Sequence, residues 1–272
     1  MAVPDTFNRS LWAATAPPAP TLPSLSGLEE AEVAIVGAGF LGLSLALHLA
    51  EAGIPVVLLE AEEPGFGASG RNTGFVVPSL KPKFGPEDLR KRFGEARGVR
   101  LARLVGESGD FLFGMVQRLG ITCEAEPTGW FQPASTEAGE ALLRARVPQW
   151  QALGRPVTLL NSETTRDALG FPGYRCALFD PTGGQINPLA YARGLARAAL
   201  ERGARVYARA RVEALAREKD RWLLKTVAGQ VVARSVYLTT NALLGLLRPE
   251  VHRSLLQVRT YQVATQPLSA AL

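Results

Sequence analysis

An α/β fold with a parallel sheet is what this sequence predicts, on three observations within residues 32–60. Val33, Ala34, Ile35 and Val36 form a short apolar run, the pattern of a strand buried on both faces. Gly37-Ala38-Gly39-Phe40-Leu41-Gly42 then reads G-x-G-x-x-G and opens a helix over about residues 40–51, with Gly53 placed as its C-cap glycine. A second apolar run, Val56-Val57-Leu58-Leu59, ends at the acidic Glu60. That acid lies 23 positions after Gly37, near the roughly 20 expected for a carboxylate that takes a ribose hydroxyl. Together these describe a Rossmann-like βαβ unit for a dinucleotide.

Each glycine has its own task. Gly37 lets the chain turn sharply out of the strand, Gly39 has no Cβ to block a pyrophosphate, and Gly42 lets the helix pack tightly on the strands. Phosphates then rest on free N–H groups at the positive end of a helix. Charged hydrogen bonds of this kind are worth about 1.5–3 kcal/mol each, so two or three suffice to hold a dinucleotide. A lone G-x-G-x-x-G is weak evidence; here the flanking strand, helix, second strand and terminal acid agree. A membrane span is the competing reading of residues 33–50, which carry no Asp, Glu, Lys or Arg. Three glycines in the first ten of these residues, His48 and acidic flanks oppose it.

The 272 residues suffice for one large or two moderate domains. The net charge of +5 comes mostly from arginine, and the basic stretch 81–103 is broken by glutamates and an aspartate, as on a solvated helix face. No nucleic-acid-binding motif is present, and no nucleic-acid partner is expected. Cys123 and Cys176 stand alone, without a C-x-x-C or neighbouring histidine, so neither a metal site nor a disulfide framework is expected. With no secretory signal apparent, these cysteines fit a cytoplasmic protein.

Taken in order, residues 1–27 contain Pro4, Pro17, Pro18, Pro20 and Pro23 and read as an extended arm, with Ser10-Leu11-Trp12 as one apolar anchor. After Glu60 and Ala61 comes a glycine-rich loop ending Ala68-Ser69-Gly70-Arg71-Asn72-Thr73-Gly74. Such a loop at the carboxyl end of parallel strands lies where open α/β sheets bind ligands. Arg71 is suited to neutralise a pyrophosphate or to face a cofactor ring; the plainer alternative is a solvated arginine on a surface turn.

GAGFLGLSLALHLAEAG, VVLLEAEEPGFGASGRN and the SLWAATA arm together resemble the FAD-dependent oxidoreductases of the D-amino-acid-oxidase (DAO) type, most of all the branch containing gamma-glutamylputrescine oxidase. Sarcosine and glycine oxidases are wider relatives. The resemblance implies a FAD/NAD(P)-binding Rossmann-like domain of the glutathione-reductase type 2 family with an interleaved α+β substrate domain. It assigns residues 28–84 and 187–247 to the FAD domain, and 85–186 and 248–272 to part of the substrate domain. It also implies that the first βαβ unit holds the ADP half of FAD while the Ser69-Gly70-Arg71-Asn72 loop runs beneath the flavin. Thr73 stands where relatives often carry the first glycine of SGRNGG.

Residues 86–119 have a helical pattern closed by Gly120; 124–133 suggest strands and 137–153 another helix. Trp130 fits a sheet core better than a pocket wall. Pro188 marks a helix start after the Thr182-Gly183-Gly184 turn, and Gly203 its end. Residues 205–207, 212–216, 222–227 and 231–233 read as short strands, the last two joined at Ala228-Gly229. By resemblance, Val212 makes a backbone contact to adenine. By resemblance too, the strand 236–238 ends in a turn, Thr239-Thr240-Asn241, that passes by the dinucleotide, with Thr239 replacing the usual alanine.

The family continues beyond Thr260–Leu268 into more substrate-domain sheet and a flavin-contacting return, so the chain is expected to lack a C-terminal part. Either the sequence is a truncated product of a longer reading frame, or a homo-oligomer or second chain completes the fold; the missing sheet partners would expose apolar strand edges. The usual catalytic groups fall in that part, and no catalytic residue is assigned. His48 and His252 read as structural or surface residues. The expected activity is oxidation of an amine or amino-acid C–N bond by hydride transfer to flavin, with the imine then hydrolysed. The alternatives are a flavin-binding fragment or subunit without a complete active site, or a NAD(P)-linked dehydrogenase, which Glu60 permits and the ASGRN loop does not favour.

Overall fold

A computed structural model describes residues 10–81, 84–245, 247–258, 260–266 and 269. In chain order its elements are α1 (Leu11–Thr15), β1 (Gly27–Val36), α2 (Phe40–Glu51), β2 (Val56–Leu59), β3 (Phe75–Val76), α3 (Pro86–Phe93), α4 (Glu95–Gly106), α5 (Ser108–Leu119), β4 (Trp130–Ala134) and α6 (Glu137–Gln151). There follow β5 (Thr158–Leu160), α7 (Ser162–Leu169), β6 (Cys176–Asp180), β7 (Gly184–Gln185), α8 (Pro188–Glu201), β8 (Arg205–Tyr207), β9 (Ala214–Glu218), β10 (Arg221–Lys225), β11 (Gly229–Leu238) and α9 (Pro249–His252). The described residues fall into two compact units, one drawn from 10–73, 121–123 and 187–269, the other from 74–120 and 124–186.

The first unit is built on a six-stranded sheet in the order β8-β2-β1-β11-β10-β9. β8, β2, β1 and β11 run parallel; β10 and β9 complete an antiparallel meander. All four residues of β2 are buried, as its unbroken apolar run requires. Ala34, Val36, Val57, Leu59, Leu224, Val231 and Ala233 pack into one apolar core. The helix α2 packs against α8. Because β1 has β2 on one side and β11 on the other, its carboxyl end is a point where the strand order reverses, the usual ligand position in such sheets.

The second unit is α+β: a three-stranded antiparallel sheet, β4-β6-β5, and a short β3-β7 ladder, with α3 to α7. Its core contains Leu89, Ala102, Leu143, Val147, Trp150, Cys176 and Leu178. Trp130 is only half-buried, packing on that core while also lining a cavity of about 500 Å³ with Phe75, Phe131, Phe171 and Tyr174. It therefore serves both of the roles weighed from sequence.

The expected α/β class is observed, and several elements differ in detail. β1 starts at Gly27, well before the apolar run, because it pairs with β11 from Gly229 onward; there Glu29 is paired with Arg205 and accepts from Tyr207 Oη at 2.8 Å. The arm is not extended throughout: Ser10 Oγ accepts from Ala13 N at 3.1 Å and caps α1. The helical stretch 86–119 is three helices, broken at Gly94 (φ 81°) and Glu107, with Gly120 a left-handed cap. Of residues 124–133 only those from Trp130 are a strand, and 231–233 and 236–238 belong to one strand, β11. Residues 33–50 divide into the end of β1 and α2, and no helix among the described residues is long and apolar enough to cross a membrane.

Candidate dinucleotide site

The parallel register aligns Val36 with Leu59 and Leu238, so Gly37, Glu60 and Thr239 emerge side by side. Gly37 turns with φ 108° and donates its N–H to the Leu59 carbonyl at 2.8 Å. Gly39 is the N-cap of α2 with ordinary extended backbone (φ −80°, ψ −176°). A Cβ on Gly42 would lie 2.0 Å from the Gly37 carbonyl oxygen, so the helix meets the strand closely only because that position is bare.

Glu60 holds this turn from the next strand. One carboxylate oxygen accepts from Ala38 N at 2.6 Å and the other from Glu62 N at 2.9 Å. Burial raises the Glu60 pKa most; the amides of Ala38, Glu62 and Ala61 pull it back, and the Glu62 charge adds to the rise. Ala61 itself is half-buried.

The loop after β2 folds onto the same turn. Gly65 N donates to the Ala38 carbonyl at 2.9 Å, and Ser69 Oγ accepts from Phe40 N at 3.0 Å. Ser69 thus stands at the first turn of α2, where an anion's oxygen would also bind. Gly70 is buried against Gly65 and Leu189, Arg71 lies over the Phe66 ring at 4.6 Å, and Asn72 folds its amide back onto the Ser69 carbonyl at 2.9 Å. Thr73 is exposed. Gly74 opens the second unit with φ 78° and accepts from Ile186 N at 2.9 Å.

The remaining candidates divide. Ala210 N donates to the Glu60 carbonyl at 2.8 Å, and Val212, two residues on, is half-buried against the core of the sheet. Thr240 accepts from Leu243 N at 2.9 Å, and Asn241 adopts a left-handed φ of 48°, a conformation asparagine tolerates better than most residues. Leu41 is exposed, and its side chain is not drawn into the turn.

Three contributors were not legible as such. Thr239 Oγ1 donates to the carbonyls of both Val36 and Gly37 at 2.9 Å, fastening β11 to the glycine turn. Its only signal was its replacement of an expected alanine. Tyr191 meets Phe40 edge-on at 5.4 Å, and burial pushes its hydroxyl up to about 12, so it stays neutral. Trp12 donates Nε1–H to the Asn72 carbonyl at 2.8 Å. Among the described residues no His, Cys, Asp and Glu cluster suits a metal ion.

A helix start, a hydroxyl and a carboxylate acceptor meet at one glycine turn, where Gly42 leaves no room for a Cβ, at the carboxyl ends of parallel strands. The fold thus defines an α/β protein of the dinucleotide-binding class. The chain belongs to the DAO family, FAD dependent oxidoreductases, whose profile matches residues 32–272. It is 35% identical to gamma-glutamylputrescine oxidoreductase of Escherichia coli (strain K12), over 89% of this chain and 56% of that protein. It is 31% identical to the probable oxidoreductase OrdL of Haemophilus influenzae (strain ATCC 51907 / DSM 11121 / KW20 / Rd), over 92% of this chain and 59% of that one. The chain therefore spans less than three-fifths of the length of either relative. Among solved structures, glycine oxidase from Geobacillus kaustophilus superposes with a TM-score of 0.69 at 23% identity, over 82% of this chain and 58% of that one. L-Proline dehydrogenase from P. horikoshii gives 0.68 at 20%, over 84% and 56%; these two establish the shared fold.

Proposed function

We propose that the first unit holds FAD and that the chain serves the oxidation of a C–N bond in a small amine or amino acid. The observation that carries the reading is Glu60, bonded to the Ala38 amide at the carboxyl ends of parallel strands. In this reading Gly37, Ala38, Gly39, Phe40 and Gly42 shape the pyrophosphate cradle, and Glu60 takes the ribose hydroxyls. Ser69 to Gly74 would hold the flavin end, Val212 the adenine end, and Thr240 and Asn241 the remainder of the dinucleotide. The second unit is the substrate domain. A flavin bound there would supply hydride-accepting chemistry toward the carbon beside a neutral amine, the imine so left being hydrolysed by water and the two electrons passing on to an acceptor such as oxygen. The chain's own residues bind and orient. Ser69 Oγ, which accepts from Phe40 N, can donate its own hydroxyl proton to a phosphate oxygen, and Arg71 lies in the neighbouring loop to offset its charge. Support comes from the family membership and from the amine-directed name of the Escherichia coli relative.

The test is the visible spectrum of the purified chain. Flavin bands that bleach when a secondary amine or amino acid is added without oxygen are expected. A colourless protein that takes up no FAD would overturn the reading. Bands that no amine bleaches would assign the chain a flavin-holding role alone.

Glu60 makes the cofactor affinity pH-dependent. An ionised carboxylate accepts from ribose hydroxyls, and protonation removes part of that capacity. Since burial raises the Glu60 pKa, FAD binding is expected to weaken on acidification from a pH above the ~4.3 of an ordinary glutamate. Stability runs the other way for this group. The raised pKa favours the protonated folded state, so its contribution is full below the ordinary value and is lost as pH rises through the shifted one. Glu60→Gln should flatten both profiles; FAD titrations at a series of pH values, alongside denaturant melts, would read them. An unchanged acid limb of FAD binding in Glu60→Gln would assign the titration to another group.

A further inference from the structure

The helix α1 has five residues, too few to persist alone. The first unit holds it from α8. Asn187 is fully buried at the α8 N-cap, where Oδ1 accepts from Ala190 N at 3.0 Å. Its Nδ2 donates to Thr15 Oγ1 at 2.8 Å and to the Trp12 carbonyl at 3.4 Å. Further along, Arg193 Nη1 donates to the Pro17 carbonyl at 2.7 Å and Arg197 to that of Pro18. The Trp12 indole is thereby presented at a fixed place.

From there the hydrogen bonds continue inward. Trp12 Nε1 donates to the Asn72 carbonyl at 2.8 Å; Asn72 Nδ2 donates to the carbonyls of Ser69 at 2.9 Å and Ala68 at 3.2 Å. Ser69 Oγ then accepts from Phe40 N at 3.0 Å. An unbroken series runs from a buried carboxamide on α8, through the arm, to the first turn of α2.

We propose that Trp12 is a positioning residue for FAD: its indole N–H sets the turn Ser69-Gly70-Arg71-Asn72 against the N-terminus of α2. This rests on the FAD reading above. The arm is a working part of the cofactor site, though it lies in sequence before the glycine motif and outside the family match, which begins at residue 32.

Trp12→Phe keeps an aromatic ring and removes the donor. In the full chain it is expected to weaken FAD binding about fivefold to tenfold, the weight of one neutral hydrogen bond. The absorption bands of bound flavin should shift, and amide hydrogen exchange across residues 69–72 of the apoprotein should quicken. The melting temperature of the apoprotein should fall by no more than about 5 °C, since one part-buried hydrogen bond moves a chain of this size little. If the unaltered chain binds FAD and Trp12→Phe leaves affinity, spectrum and exchange the same, the inference falls while the FAD reading stands. A large loss of melting temperature accompanying the weaker binding would make Trp12 a merely structural residue and overturn it too. An unaltered chain that takes up no FAD overturns both, and the exchange measurement then reports only whether Trp12 orders the loop.

Discussion

Gly39→Asp is expected to yield a folded chain that no longer retains flavin. The backbone at Gly39 is ordinary extended geometry, so the aspartate is not strained by its φ and ψ. Its Cβ would stand 2.9 Å from Ser69 Oγ, so the hydroxyl must move off the Phe40 amide. The new carboxylate also lies where a phosphate is to rest. Two like charges about 4 Å apart at an effective dielectric of roughly 20 repel by about 4 kcal/mol, close to a thousandfold in affinity. Flavin absorbance per chain after gel filtration reads the loss, and a thermal melt confirms folding. Full flavin content in this variant would put the phosphates elsewhere on the molecule.

Gly42→Ala acts on the fold itself. The added methyl would lie 2.0 Å from the Gly37 carbonyl oxygen and 2.6 Å from Thr239 Oγ1. The first is backbone, and the second is held by two carbonyls. Neither can yield without lifting α2 from β1. Overpacking of this kind costs about 3 kcal/mol at the upper end of its usual range, equivalent to roughly 6–12 °C in a chain of this size. Thermal unfolding followed by circular dichroism measures it. A shift below about 2 °C would mean that the strand-helix contact is looser than its geometry states.

The parts legible in the sequence are those governed by local rules. The limits of α2 and β2 follow from glycine placement and an uninterrupted apolar run, and both lie at the residues expected. The β1 start was hidden because its first six residues carry Glu29, Glu30 and Glu32, which no apolar pattern marks as strand. Its partner for Glu29 is Arg205, 176 residues away. Likewise β6, Cys176–Asp180, is four apolar residues closed by an aspartate, too short for periodicity to classify. At the site, the glycines and Glu60 were readable from spacing, and the loop 69–72 from its resemblance. The Thr239 bonds, the Tyr191 contact and the Trp12 donor were not, since each joins residues that only the folded sheet brings together. Of Thr260–Leu268, Pro267 and Leu268 lie outside the described residues, as do residues 1–9 of the arm. Tyr261 and Val263 are exposed, and Gln262 donates to the Arg71 carbonyl at 3.2 Å.

The central place of β1 has a bearing on biosynthesis. Thr239 grips the Gly37 carbonyl across 202 positions of sequence. At roughly 5–20 residues per second, a ribosome needs about 10–40 s after making the glycine turn to deliver the strand that fastens it. Until then β1 has one open flank, and the nascent chain must be shielded from pairing with a stranger.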